Sequence, residues 1–78
     1  MSDPAVIEMA NTLAEECIAV QRETGEDRLF MEVAQVLGAS SQTLEEAFLT
    51  AVRTRMANAS ARSFLQRKLE EHRATKTG

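Results

Sequence analysis

The sequence predicts an all-α protein, a small bundle of three or four helices. Two observations support this prediction. Apolar residues recur every three or four positions along most of the chain, which is the spacing of one helix face. Breaks rich in glycine or hydroxyl residues separate the periodic segments, at 24–27 and at 38–41. The 78 residues suit one domain, and a composition of 44% hydrophobic and 27% charged residues favours a folded chain.

The first helix is predicted over about residues 4–23. Asp3 is expected to cap it, and Pro4 suits its first position because the amide missing from proline is unpaired there in any residue. Gly25 is expected to end it. Its core stripe follows the helical period. The residues of that stripe are Val6, Ala10, Leu13, Cys17 and Val20.

The second helix is predicted over about residues 28–37, with Thr24 or Asp27 as its cap. Its apolar residues form two adjacent stripes, so we expect this helix in the middle of the bundle with neighbours on both sides. Gly38 is expected to end it in the left-handed conformation that glycine tolerates best.

The third helix is expected to open at Ser41 or Thr43, and it presents a core stripe as far as its edge residue Met56. Its stripe residues are Leu44, Ala47, Phe48, Ala51 and Val52. Beyond Met56 the apolar residues lie on a face rotated by roughly a third of a turn, at ~100° per residue.

Two explanations account for this rotation. Either the run Asn58-Ala59-Ser60 ends one helix and caps another, or one long helix uses different faces against different partners. We favour the break, which gives helices at about 42–57 and 60–72 and a disordered tail at 74–78.

The two halves of the chain carry charges of opposite sign. Residues 1–42 hold eight acidic and two basic side chains, net −6, whereas residues 43–78 hold four acidic and seven basic ones, net +3. Such asymmetry suits pairing of copies, docking within the chain, or a basic face directed at a polyanion.

Little in the sequence indicates catalysis. His72 and Cys17 are the single histidine and cysteine, and the glutamate doublets point ~100° apart on a helix, so no triad or metal-ligand set can be drawn. The sequence therefore predicts no enzyme activity, no catalytic residue, no metal, no cofactor and no small-molecule substrate. The short apolar runs and the lone cysteine predict a cytoplasmic protein without membrane association.

The segment 30–49 carries a small residue, a glycine and an aliphatic residue at Ala34, Gly38 and Leu44. It resembles the helix-turn-helix motif of phage repressors and Fis-like bacterial regulators, so the bundle is expected to contain a helix-turn-helix-like hairpin. The resemblance implies a dimeric DNA-binding regulator, with base contacts from the start of the third helix and phosphate contacts from arginines. The implied DNA-binding residues are Ser41, Gln42, Arg53, Arg55 and Arg62.

The leading prediction is a different one, a small regulator or adaptor that acts through protein–protein association. The C-terminal segment combines apolar residues out of phase with the core and surrounding basic residues, a pattern typical of a binding surface. The expected partner is another protein or a second copy, as a homodimer. The predicted partner-binding residues are Ala61, Phe64, Leu65, Arg67, Lys68 and Leu69.

Overall fold

Three α-helices make up residues 3–76, the part of the chain that the computed structural model describes. The helices are α1 (Pro4–Thr24), α2 (Leu29–Gly38) and α3 (Gln42–Lys76). Short connections at 25–28 and 39–41 join them. The predicted all-α class is confirmed. None of these helices combines the length and the apolar content that a bilayer span needs.

Both ends of α1 follow the local sequence signals. The Asp3 carboxylate accepts a hydrogen bond from the Ala5 amide at 3.0 Å, next to a proline in the first helical position. Gly25 adopts φ +79°, and its amide donates to the Gln21 carbonyl at 2.8 Å. A glycine reaches this left-handed conformation without a steric penalty, so α1 ends where its sequence predicts.

The predicted cap of α2 is wrong. Arg28 occupies the N-cap position and makes no side-chain cap, and the Thr24 hydroxyl instead serves its own turn, accepting from the Glu26 amide at 3.2 Å. The amide of Phe30 donates to the buried Gln21 side chain of α1 at 2.9 Å. Helix α2 is therefore capped from outside itself, and the same bond holds its first turn against α1.

The predicted left-handed conformation of Gly38 is also wrong. Gly25 is the one glycine with positive φ within residues 3–76, and Gly38 is the last helical residue of α2. Its lack of a side chain has another use, because a Cβ at Gly38 would lie 3.0 Å from the carboxyl carbon of Glu45 in α3. The chain leaves α2 through Ala39 in the right-handed region, and the Ser41 amide donates to Leu37 at 2.7 Å.

Helix α3 opens at Ser41, one of the two predicted caps. Its hydroxyl accepts from the Leu44 amide at 3.1 Å, the usual bond of a serine N-cap.

From there α3 runs without a break to Lys76, so the predicted division at 58–60 into two helices is wrong. Asparagine and serine inside a helix each cost only a few tenths of a kcal/mol more than the best helix formers. Starting a new helix would require a second unfavourable nucleus. The helix also includes 74–76, where a disordered tail is expected from the sequence, and residues 77 and 78 lie outside the described part of the chain.

Helices α1 and α3 run in the same direction and α2 runs back between their ends. Ile7 and Thr43 line one groove between α1 and α3, while Arg22 and Arg62 line another one further along both helices. The core beneath these grooves is small and built largely from alanines, which let the helix backbones approach closely. Its buried apolar residues are Ala10, Ala14, Cys17, Ala34, Phe48, Ala51 and Val52.

Two features of this core differ from the sequence prediction. The buried face of α1 continues through Gln21, whereas Val20 is 45% exposed. In α2 only Ala34 is buried, and Val36 is 72% exposed, so α2 does not lie in the middle of the bundle. Leu29 and Val33 of its second apolar stripe are partly buried against the core, and Val36 is the member of that stripe that lies in solvent.

Candidate protein-binding surface

The second part of α3 extends beyond the core. Every described side chain from Ala57 to Thr75 is exposed, and this segment, the exposed half of α3, is about 28 Å long at 1.5 Å per residue. The core stripe of α3 ends at Val52, and α1 ends at Thr24, near the level of Arg62. The helix therefore continues well past the elements that pack against it.

Large apolar side chains lie on this exposed half. Phe64, Leu65 and Leu69 are 51%, 64% and 46% exposed, and Ala61 lies one turn before Leu65. Steps of three and four residues place them along one stripe. On a helix without neighbours, such a stripe exposes apolar surface to water. A binding partner can cover that surface.

Charged side chains flank the stripe. The Lys68 ammonium lies 5.9 Å from the centre of the Phe64 ring and 3.7 Å from the Glu71 carboxylate. Arg67 is also exposed, but at ~100° per residue it points about 160° from Leu65. The exposed half holds four basic and two acidic residues, net +2. The six predicted partner-binding residues are all exposed on this segment, five of them on the side of Leu65 and Arg67 on the opposite side.

Sequence reasoning missed a second exposed apolar strip, on α1. Met9 and Val20 are 50% and 45% exposed, and the glutamates Glu16 and Glu23 lie on the same side. Residues 9, 13, 16, 20 and 23 are spaced alternately by four and three. The glutamates among them are the sequence signal that this side of α1 is exposed. The sequence predicts Val20 in the core because it continues the apolar spacing of Ala10, Leu13 and Cys17, whereas the structure buries Gln21 instead.

The residues of the predicted DNA site do not form one surface. The Ser41 hydroxyl is engaged in capping α3. Arg55 donates to Asn11 at 3.2 Å and to Glu15 at 3.0 Å, which links α3 to α1 and draws this guanidinium away from a phosphate.

The other three members are exposed, but they separate on the helix. At ~100° per residue, Gln42 and Arg53 point about 20° apart, whereas Arg62 points about 180° from Arg53. A straight duplex touching Gln42 and Arg53 therefore lies on the far side of α3 from Arg62.

The cysteine and the histidine, residue types that often act in catalysis, are not arranged with other reactive side chains. Burial raises the pKa of the Cys17 thiol, which lies 3.8 Å from the Gln21 side-chain oxygen and stays protonated at neutral pH. His72 is exposed on the last part of α3. Within residues 3–76, no three histidine, cysteine or carboxylate side chains gather as a metal-ligand set.

Neither a protein-family model, nor a curated protein, nor a solved structure matches this chain.

Proposed function

We propose that this protein is a small non-enzymatic regulator or adaptor that acts by self-association through the exposed half of α3. One observation supports the proposal above the others: Leu65, at 64% exposure, and Phe64 and Leu69 beside it lie on a helical segment that no other described element covers. Burying a large apolar side chain stabilises a complex by about 1.5–3 kcal/mol, before the costs of association are subtracted.

The size of the domain favours the same conclusion. A core of seven apolar residues, four of them alanines, is small. Chains of this length often gain only ~3–5 kcal/mol from a single core, so association supplies stability that one copy lacks. A second copy of the chain is a partner that is present wherever the chain itself is present.

Light scattering on Leu65→Asp tests the proposal. The parent chain is expected to show a mass that rises with concentration, and the variant is expected to remain a monomer because association would bury an unpaired carboxylate. Val36→Asp is the matched control, since Val36 is 72% exposed on α2, away from the exposed half of α3. It should associate like the parent. Equal masses for all three proteins at every concentration would refute the proposal.

DNA binding, the alternative function, stays a prediction. Its test is fluorescence anisotropy of a labelled duplex titrated at low and at moderate salt. Binding through phosphate contacts weakens steeply with salt and with loss of Arg53, because each contact releases counterions. A duplex that remains unbound at low salt removes this alternative.

A further inference from the structure

We propose that the self-associating form is a reciprocal dimer in which α1 of each copy docks on the exposed half of the other copy's α3. The inference rests on the proposed function and names the surface that covers the exposed stripe. The docking strip of α1 consists of the exposed residues Met9, Glu16, Val20 and Glu23, next to Leu13, which is partly buried against the core.

The first argument is continuity with the contact inside one protomer. Ala51 is buried in the core, and Arg55 binds Asn11 and Glu15 of α1, so these two residues define the side of α3 that meets α1. Leu65 and Leu69 follow them by 14 residues, which is two heptads and a rotation of only about 40°. The α1-contacting side of α3 therefore continues as an apolar side where its own α1 has ended.

The second argument is fit in length and direction. Past Arg62, near which its own α1 ends, the exposed half of α3 continues for 13 residues, about 20 Å at 1.5 Å per residue, and this length covers about two thirds of a partner's α1, which is about 31 Å long. Since α1 and α3 are parallel within a protomer, a two-fold axis across them makes the partner's α1 antiparallel to the exposed half. Two copies then place their α1 helices end to end between two antiparallel α3 helices.

The third argument is charge. The docking strip of α1 holds two glutamates and no basic residue, within a half-chain of net −6, whereas the exposed half of α3 has net +2. Pairing two exposed halves with each other would instead bring like charges together. Opposite charges therefore favour α1 over a second exposed half as the occupant.

These constraints give a register. If Val20 packs on the partner's Leu65, antiparallel helices bring Glu23 opposite Arg62, because each lies three residues from its apolar neighbour. Arg62 also lines a groove with Glu15 and Arg22 of its own chain, where the Glu15 carboxylate pairs with Arg55. The arrangement is symmetric, and each dimer contains the Glu23 and Arg62 pair twice.

Charge exchange in the full-length chain tests the arrangement by sedimentation. Glu23→Arg and Arg62→Glu should each weaken dimerisation by about tenfold, since two exposed pairs per dimer are replaced by repulsive ones. The double variant E23R/R62E should recover dimerisation to within about threefold of the parent. Glu32→Arg, a reversal at an exposed site on α2, is the matched control and should leave dimerisation nearly unchanged. The three substituted positions are exposed, so circular dichroism should show unchanged helicity.

The outcomes separate this inference from the proposed function. A parent dimer that is unaffected by the single reversals, or a double variant that fails to recover, overturns the α1 docking site and leaves self-association in place. A parent chain that stays monomeric overturns both.

Discussion

Gln21 determines the position of α2 with one buried polar side chain. Its oxygen accepts from the amide of Phe30 at 2.9 Å and lies 3.8 Å from the Cys17 sulfur, so a bond between α1 and α2 replaces the local cap that α2 lacks. The Asp3 cap was predictable because its partner is two residues away, at Ala5. The role of Gln21 was not, because it depends on how a residue nine positions later is packed.

Replacing Gln21 with methionine keeps its volume and removes the acceptor. The unpaired amide of Phe30 should lower the free energy of unfolding by about 1–3 kcal/mol. Urea denaturation measures the change, with Gln35→Met at an exposed position of α2 as the control. Equal stability of the two variants would show that the Gln21 cap contributes nothing.

Replacing Gly25 or Gly38 with alanine is expected to change stability in opposite directions. Gly25→Ala places a Cβ at φ +79° and should destabilise the protein by about 1–2 kcal/mol, although no atom lies within 4 Å of that Cβ. Gly38→Ala should change stability by less than about 1 kcal/mol, in the stabilising direction, because φ is not positive and alanine favours helix. The flexible end of Glu45 must shift by a few tenths of an ångström. A loss of more than 1 kcal/mol in Gly38→Ala would show that the Glu45 side chain does not make room for the added Cβ.

At the scale of the element, α3 serves two purposes in succession. Its first half presents Phe48 and Val52 to the core, and its exposed half presents Leu65 to solvent. The sequence shows the change of face at Met56, and both a break and a continuous helix are consistent with that pattern. The break was favoured because asparagine and serine often end helices. Their small helix penalties did not outweigh the surrounding alanines at 57, 59 and 61.

A proline at Ser60 tests the independence of the two halves. Ser60→Pro should unwind part of the exposed half, because proline removes a helical hydrogen bond and costs about 3 kcal/mol locally. Amides within 4–55 should keep their hydrogen-exchange protection, since the exposed half contributes no residue to the core. Thr50→Pro, at an exposed site of the packed half, should remove protection throughout. Global loss of protection in Ser60→Pro would show that the exposed half supports the core.

At the scale of the whole molecule, the unusual feature is an apolar helical segment left outside a small core. The sequence predicts the all-α class and the approximate positions of α1 and α2, but not the continuity of α3. The six residues of the candidate surface stay a prediction. It does not predict Val20 on the outside of α1, because the buried face continues through the adjacent polar residue Gln21, about 100° away on the helix. In the proposed dimer, Val20 and Glu23 are the residues of α1 that contact the surface around Leu65.

The most direct test of self-association is sedimentation equilibrium of the unmodified chain over a wide range of concentration. The account predicts a mass that rises with concentration from 8.6 kDa toward twice that value and then levels off, because a two-fold arrangement closes on itself. A mass that remains at 8.6 kDa up to the highest concentration would contradict it.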